Sequence, residues 1–289
     1  MDLSTIQTLL REKVVQNFEI NRGNRVRVAE VEGDLIIKYG TSVRAGEGIA
    51  MRIVAAQTSI PVPEVISIVE DRETTYVVQR KLTGIHLSEI IDDLEEATGL
   101  RIQEQLRHIL TQLSCVTPLE EGRQLTKLGK SPVERGDGTV GVAVGGLVGL
   151  PEWTGGLFSV FQPSRLTSPP KFLGTTLDLL AKLQKIGRMR PDKAQKHLPF
   201  IDAIRPLMFC HGDFCPENIL IHDGAVSGII DWEVAGWYPY FWTAWFGATT
   251  GNFKNHRIWS DWRSRLIEPY DKDCTAFGHI FAQAEAWTP

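Results

Sequence analysis

The hydrophobic pattern changes period along the chain, from short strand-like runs before Gly84 to helical spacing after it. Ile6, Leu9, Leu10 and Val14 fall near one face of a helix over residues 4–15, with Ser4 or Thr5 as its cap. Phe18 to Val28 reads as a strand interrupted by the turn cluster Asn21-Arg22-Gly23-Asn24-Arg25. Val31-Glu32-Gly33-Asp34 then turns the chain into Leu35–Gly40, an apolar strand carrying one lysine, Lys38. In residues 43–57, Glu47, Ala50, Met51 and Val54 recur at helical spacing, although Gly46 and Gly48 weaken the start. Ile60-Pro61-Val62-Pro63 is too proline-rich for helix and runs extended into Glu64–Ile68; after a turn at Asp71–Glu73, Thr74–Gln79 forms another strand. Further on, Leu106, Ile109, Leu110 and Leu113 mark one packed helix, and Leu177, Leu180, Ala181 and Leu183 to Ile186 mark another. Leu207–Cys210, Ile219–Ile221 and Val226–Ile230 return to strand patterns, the last two joined by a hairpin turn at His222-Asp223-Gly224.

Composition narrows the function classes. A chain of 289 residues with 43% hydrophobic and 23% charged content can bury a large core, in one large domain or two lobes. A formal charge of −4 without a long basic run argues against nucleic acid as a partner. Cys115, Cys210, Cys215 and Cys274 form no Cys-x-x-Cys pair, which indicates neither a disulfide framework nor zinc and fits the reducing cytoplasm. Cys215 is read as a packed or exposed thiol and not as a nucleophile. The start, MDLSTIQTLLREK, lacks a basic region followed by an apolar core, and the longest apolar stretch, Val140–Leu150, is short and glycine-rich. Neither a signal peptide nor a membrane span is expected.

Chemistry concentrates in residues 207–236, where two carboxylates and an amide fall at fixed offsets between strand-like runs. Asp213 and Asn218 lie on the loop after the first run, and Asp231 ends the last one. An amide oxygen and a carboxylate suit Mg²⁺, while a second carboxylate can orient a hydroxyl and take its proton, the requirements of phosphoryl transfer. Lys38 in its apolar strand needs an anion, either a nucleotide phosphate or, on the competing reading, only solvent at the strand end. Glu47 shares a helical face with apolar residues, so it is either a buried partner for a cation or a solvated acid on a frayed turn.

HGDFCPENIL followed by IIDWEVAGWYP resembles the catalytic and metal-binding segments of the aminoglycoside phosphotransferase and choline kinase-like family, and the step Ile60-Pro61-Val62-Pro63 resembles its fungal-type phosphotransferase branch. The resemblance implies an α+β, bilobal protein kinase-like fold. A small antiparallel N-terminal lobe would cover residues 1–80 and a larger, mainly helical C-terminal lobe residues 81–289, as one catalytic domain with ATP between the lobes. It assigns the catalytic base to Asp213 and Mg²⁺ to Asn218 and Asp231. Lys38, paired with Glu47, would hold the nucleotide phosphates, and backbone groups near Gln79 and Lys81 would meet adenine. The implied acceptor is a hydroxyl of a small metabolite, contacted by residues 136–168.

One departure from the family pattern pulls against a simple transfer of substrate. Relatives reading YPEYWE have acids where this chain has Tyr240 and Thr243, which lowers the expectation of an aminoglycoside or choline acceptor. Phe214 and Cys215 also replace a Leu-His pair common in the catalytic loop, leaving base and ligands intact. Gly136-Asp137-Gly138-Thr139-Val140-Gly141 matches G-x-G-x-x-G, but no clear strand precedes it and no helix follows, so it is read as a flexible loop and not as a dinucleotide site. The rival from another class is a catalytically silent, kinase-shaped binding protein. Intact Lys38, Asp213, Asn218 and Asp231 argue against it.

Overall fold

A computed structural model describes residues 1–18, 25–116, 207–239, 243 and 257–266. The chain divides into two compact units, one of residues 1–116 with 213–235, the other of 117–212 with 236–289. In the first unit, helix α1 (Leu3–Glu12) begins at Asp2, whose carboxylate accepts from the Thr5 N–H and the Ser4 hydroxyl, both at 2.9 Å. These bonds, the Thr5 amide first, lower the Asp2 carboxyl to about 2. The expected cap at Ser4 or Thr5 and end at residue 15 are therefore corrected. The helix closes on Lys13, and the β-branched pair Val14-Val15 opens strand β1 (Val14–Phe18).

Strands β1, β2 (Arg27–Val31), β3 (Leu35–Gly40), β4 (Val65–Asp71) and β5 (Thr74–Arg80) form an antiparallel sheet in the order β1-β2-β3-β5-β4. One face packs Ala29, Val31, Leu35, Ile37 and Val78 around Ile6 of α1. Helix α2 (Ala45–Gln57) lies against β4 and β5. Gly48, which weakens α2 as an isolated helix, permits this contact. A Cβ there would lie 2.6 Å from Ile68 Cδ1.

The same unit holds a smaller antiparallel sheet, β6-β7-β8, built from β6 (Ile85–His86), β7 (Ile219–His222) and β8 (Ala225–Ile229). Asp223 and Gly224 both adopt positive φ (49° and 67°), as the expected tight hairpin between β7 and β8 requires. Helix α3 (Leu87–Ile90) follows β6, and α4 (Glu96–Ser114) buries Ile102, Leu106, Ile109 and Leu113. Gln105 of α4 accepts from Val226 N–H (2.8 Å), while Gln112 accepts from Ser59 N–H and Oγ (2.8 and 3.0 Å). The extended proline segment is fastened too, because Pro61 O accepts from Ile229 N–H at 2.8 Å. Strand end, proline segment and helix thus hold one another by hydrogen bonds that need no particular side chain at the prolines.

In the second unit, Leu207–Cys210 pairs antiparallel with Gly236–Pro239, and helix α5 (Arg257–Leu266) buries Trp259 and Trp262. The turn at residues 19–24, the glycine-rich stretch with the expected acceptor loop 136–168, the helix near Leu177 and residues 240–242 lie outside the described residues.

Candidate active site

Lys38 leaves β3 on the face opposite Ile37 and is buried, with its side chain 9% exposed. Its Nζ lies 2.9 Å from Glu47 Oε2, 2.7 Å from Asp231 Oδ1 and 3.1 Å from Glu233 Oε2. Asp231 and Glu233 accept hydrogen bonds, whereas the Glu47 contact is an ion pair off the hydrogen-bonding direction. α2 thus brings Glu47 to the lysine, and the chain beyond β8 brings the other two acids. Solvent-reaching readings of Lys38 and Glu47 are thereby set aside.

The segment Asp231-Trp232-Glu233 owes its geometry to Trp232. Its fully buried indole donates to Ile229 O at 2.9 Å. Asp231 takes a positive φ of 61°, a conformation that Asp tolerates better than most residues. The flanking acids both reach Lys38. Glu233 is not among the residues that the sequence pattern singles out, although it stands inside IIDWEVAGWYP. The polar-apolar-polar alternation about a tryptophan is the signal that could have found it.

Burial alone would lower the Lys38 ammonium, but Glu47, Asp231 and Glu233 together hold it well above its usual value. Burial pushes the Glu47 carboxyl up to about 7 against the pull of Lys38, with Asp231 adding to the rise. One ammonium facing three carboxylates leaves two formal negative charges in a confined site. An oxygen from each of Glu47, Asp231 and Glu233 lies within 4.8 Å of the others. Excess negative charge and hard oxygen donors fit a divalent cation such as Mg²⁺. Glu47 is sealed at 3% side-chain exposure whereas Asp231 keeps 35%, so Asp231 is the more accessible to a ligand.

Asp213 and Asn218 form the neighbouring half. Asp213 precedes the buried Phe214 and Cys215, and Asn218 ends the 3-10 turn Pro216–Asn218 that follows them. Asn218 Nδ2 donates to Asp213 O (3.0 Å) and Oδ2 (3.2 Å), leaving the amide oxygen for a cation. Asn218 O accepts from Ile230 N–H at 3.0 Å, which ties this turn to the strand end before Asp231. Burial first, then the Asp231 charge, raises the Asp213 carboxyl to about 6 against the Asn218 hydrogen bond. Burial pushes the Cys215 thiol up, in keeping with packing and not nucleophilic attack.

The remaining two candidates sit at the exit of β5. Gln79 shares the Lys38 face, since Lys38 pairs with Val77 and Gln79 follows two residues on. Lys81 spends its backbone N–H on Asp34 O (2.8 Å) and its ammonium on Glu30 (2.8 Å), so neither group is open to a base.

One compact unit thus brings together a lysine braced by a helical glutamate, a carboxylate-amide loop and a strand-end acid. The sequence pattern described as the Phosphotransferase enzyme family matches residues 24–243, and the chain belongs to that family. Among solved structures it is similar to an APH(2″) phosphotransferase in complex with GDP and kanamycin (TM-score 0.54, 13% identity, 97% of this chain and 89% of that one). It is also similar to the macrolide 2′-phosphotransferase MphH from Brachybacterium faecium (0.53, 14%, 98% and 91%). A third is aminoglycoside phosphotransferase APH(4)-Ia with AMP-PNP and hygromycin B (0.51, 15%, 98% and 90%). At these identities the likeness establishes the α+β kinase-like fold. No curated protein matches significantly in sequence.

Proposed function

We propose that the protein transfers the γ-phosphate of ATP, with Mg²⁺, to a hydroxyl of a small metabolite. The observation that carries this reading is the buried Lys38 ammonium held by Glu47, Asp231 and Glu233. In this account Lys38 binds nucleotide phosphate and Glu47 fixes its position. Asn218 and Asp231, joined by Glu233, hold Mg²⁺, which supplies neutralisation of phosphate charge. Asp213 aligns the acceptor hydroxyl and takes its proton, a task suited to a carboxyl raised toward neutrality. The exit of β5 beside Gln79 receives the base, with Lys81 engaged by Asp34 and Glu30, at the junction of an N-terminal lobe (1–80) and a C-terminal lobe (81–289). The solved relatives bound to GDP or AMP-PNP support nucleotide use, and those bound to kanamycin or hygromycin B support a small-molecule acceptor. Free Cys115, Cys210 and Cys215 support a cytoplasmic setting, and among the described residues no helix is long and apolar enough to cross a membrane.

The test is mass spectrometry of a metabolite extract incubated with the protein and Mg·ATP, with Asp213→Ala as the blank. Loss of a catalytic base lowers turnover by about 10²–10⁴-fold. A phosphorylated species formed only by the native chain is expected, and it names the acceptor. Equal product from the variant contradicts the role of Asp213. Neither product nor Mg·ATP binding would favour the silent binding protein.

A further inference from the structure

Glu217 and Asn218 share one planar peptide unit, so whatever holds its two polar ends fixes how the Asn218 side chain leaves the backbone. The N–H end donates to Cys215 O at 3.0 Å, within the 3-10 turn. The carbonyl end is held from elsewhere, because Glu217 O lies 2.5 Å from His86 Nδ1. A carbonyl oxygen only accepts, so Nδ1 is the protonated ring nitrogen and donates. His86 is itself well placed. It pairs with Leu220 across β6 and β7, its N–H donates to Glu89 Oε1 (3.3 Å), and β6 and α3 both pack on the turn.

We propose that His86 is a positioning residue for metal binding: by holding the Glu217 carbonyl it fixes the Glu217–Asn218 peptide and thereby the Asn218 amide. The Asn218 Nδ2 is engaged with Asp213, so a rotated peptide would both break that contact and withdraw the amide oxygen from a cation. The inference rests on the metal role assigned to Asn218 above.

The experiment is titration of the purified, nucleotide-free protein with Mn²⁺, read as free Mn²⁺ by electron paramagnetic resonance, alongside thermal unfolding. His86→Ala is expected to weaken Mn²⁺ binding about tenfold, the low end for outer partners of metal ligands. His86→Asn places an amide donor near the Nδ1 position and is expected to restore most of it. A merely structural histidine would lower the unfolding temperature while leaving Mn²⁺ affinity native. That result, or failure of His86→Asn to restore binding, overturns the proposal. If His86→Ala does not fold, His86→Gln, whose donor overreaches, is compared with His86→Asn by the same criterion. Native-like Mn²⁺ binding by Asn218→Ala, or no binding by the native chain, would instead bring down the metal reading beneath it.

Discussion

Ile37 and Lys38 are consecutive residues of one strand, yet they serve opposite sides of the sheet. Ile37 is buried among Ile6, Ala29, Val31, Leu35 and Val78, a face held by apolar burial alone. Lys38 is almost as deeply buried but faces three carboxylates. Burial on the first side stabilises the fold. On the second it leaves unbalanced charge that the fold must tolerate, a pattern expected where a site is prepared for a charged ligand. Apolar packing and confined charge are thus separated across the thickness of a single sheet.

Substitutions of the two neighbours break this comparison most strongly. Lys38→Met leaves the acids without their cation and should cost about 3–5 kcal/mol, as loss of one partner of a buried pair does. Ile37→Ala should cost about 2–5 kcal/mol by removing packed methyl groups. Their pH dependence separates them. The Lys38→Met penalty comes from ionised carboxylates, so it should be full above neutrality and shrink as acid protonates them. The Ile37→Ala penalty should stay nearly constant. Denaturant unfolding at pH 8 and pH 5 measures both, and parallel losses would contradict the separation.

A smaller effect of opposite sign is expected at Asp213. Its carboxyl is raised to about 6 from an ordinary 3.8, so the folded state disfavours the ionised form. That penalty is fully present above about 6 and vanishes below the unfolded value. In the metal-free protein Asp213→Asn should therefore stabilise, by at most about 3 kcal/mol at pH 8, with the gain fading by pH 4. Unfolding curves across that range check it. A destabilised variant at pH 8 would mean that the carboxylate's hydrogen bonds outweigh its burial.

The site is more legible in the sequence than some of its supports. A lone lysine in an apolar strand and a glutamate on an apolar helical face each call for a counter-charge, and the family resemblance pairs Lys38 with Glu47. Asp213, Asn218 and Asp231 stand at fixed offsets in a paired motif. Glu233 is hidden because its role depends on Trp232 being buried, a tertiary fact. The Asp2 cap escapes the pattern because Ser4 and Thr5 are equally good cap types by residue identity, and only the bond to Thr5 N–H decides among them. Gly48 reads as a helix weakness because the approach of Ile68 comes from a strand distant in sequence. His86 carries no motif at all, since its partner is a backbone carbonyl.

The most direct test of the central claim, that Lys38, Asn218, Asp231 and their partners make one nucleotide-metal site, is calorimetric titration of the native protein and Asp231→Asn with ATP, each with and without Mg²⁺. Native affinity should rise at least about tenfold with Mg²⁺, and in Asp231→Asn, which lacks one metal ligand, the Mg²⁺ effect should largely disappear. Equal Mg²⁺ dependence in both proteins, or ATP binding by neither, would contradict it.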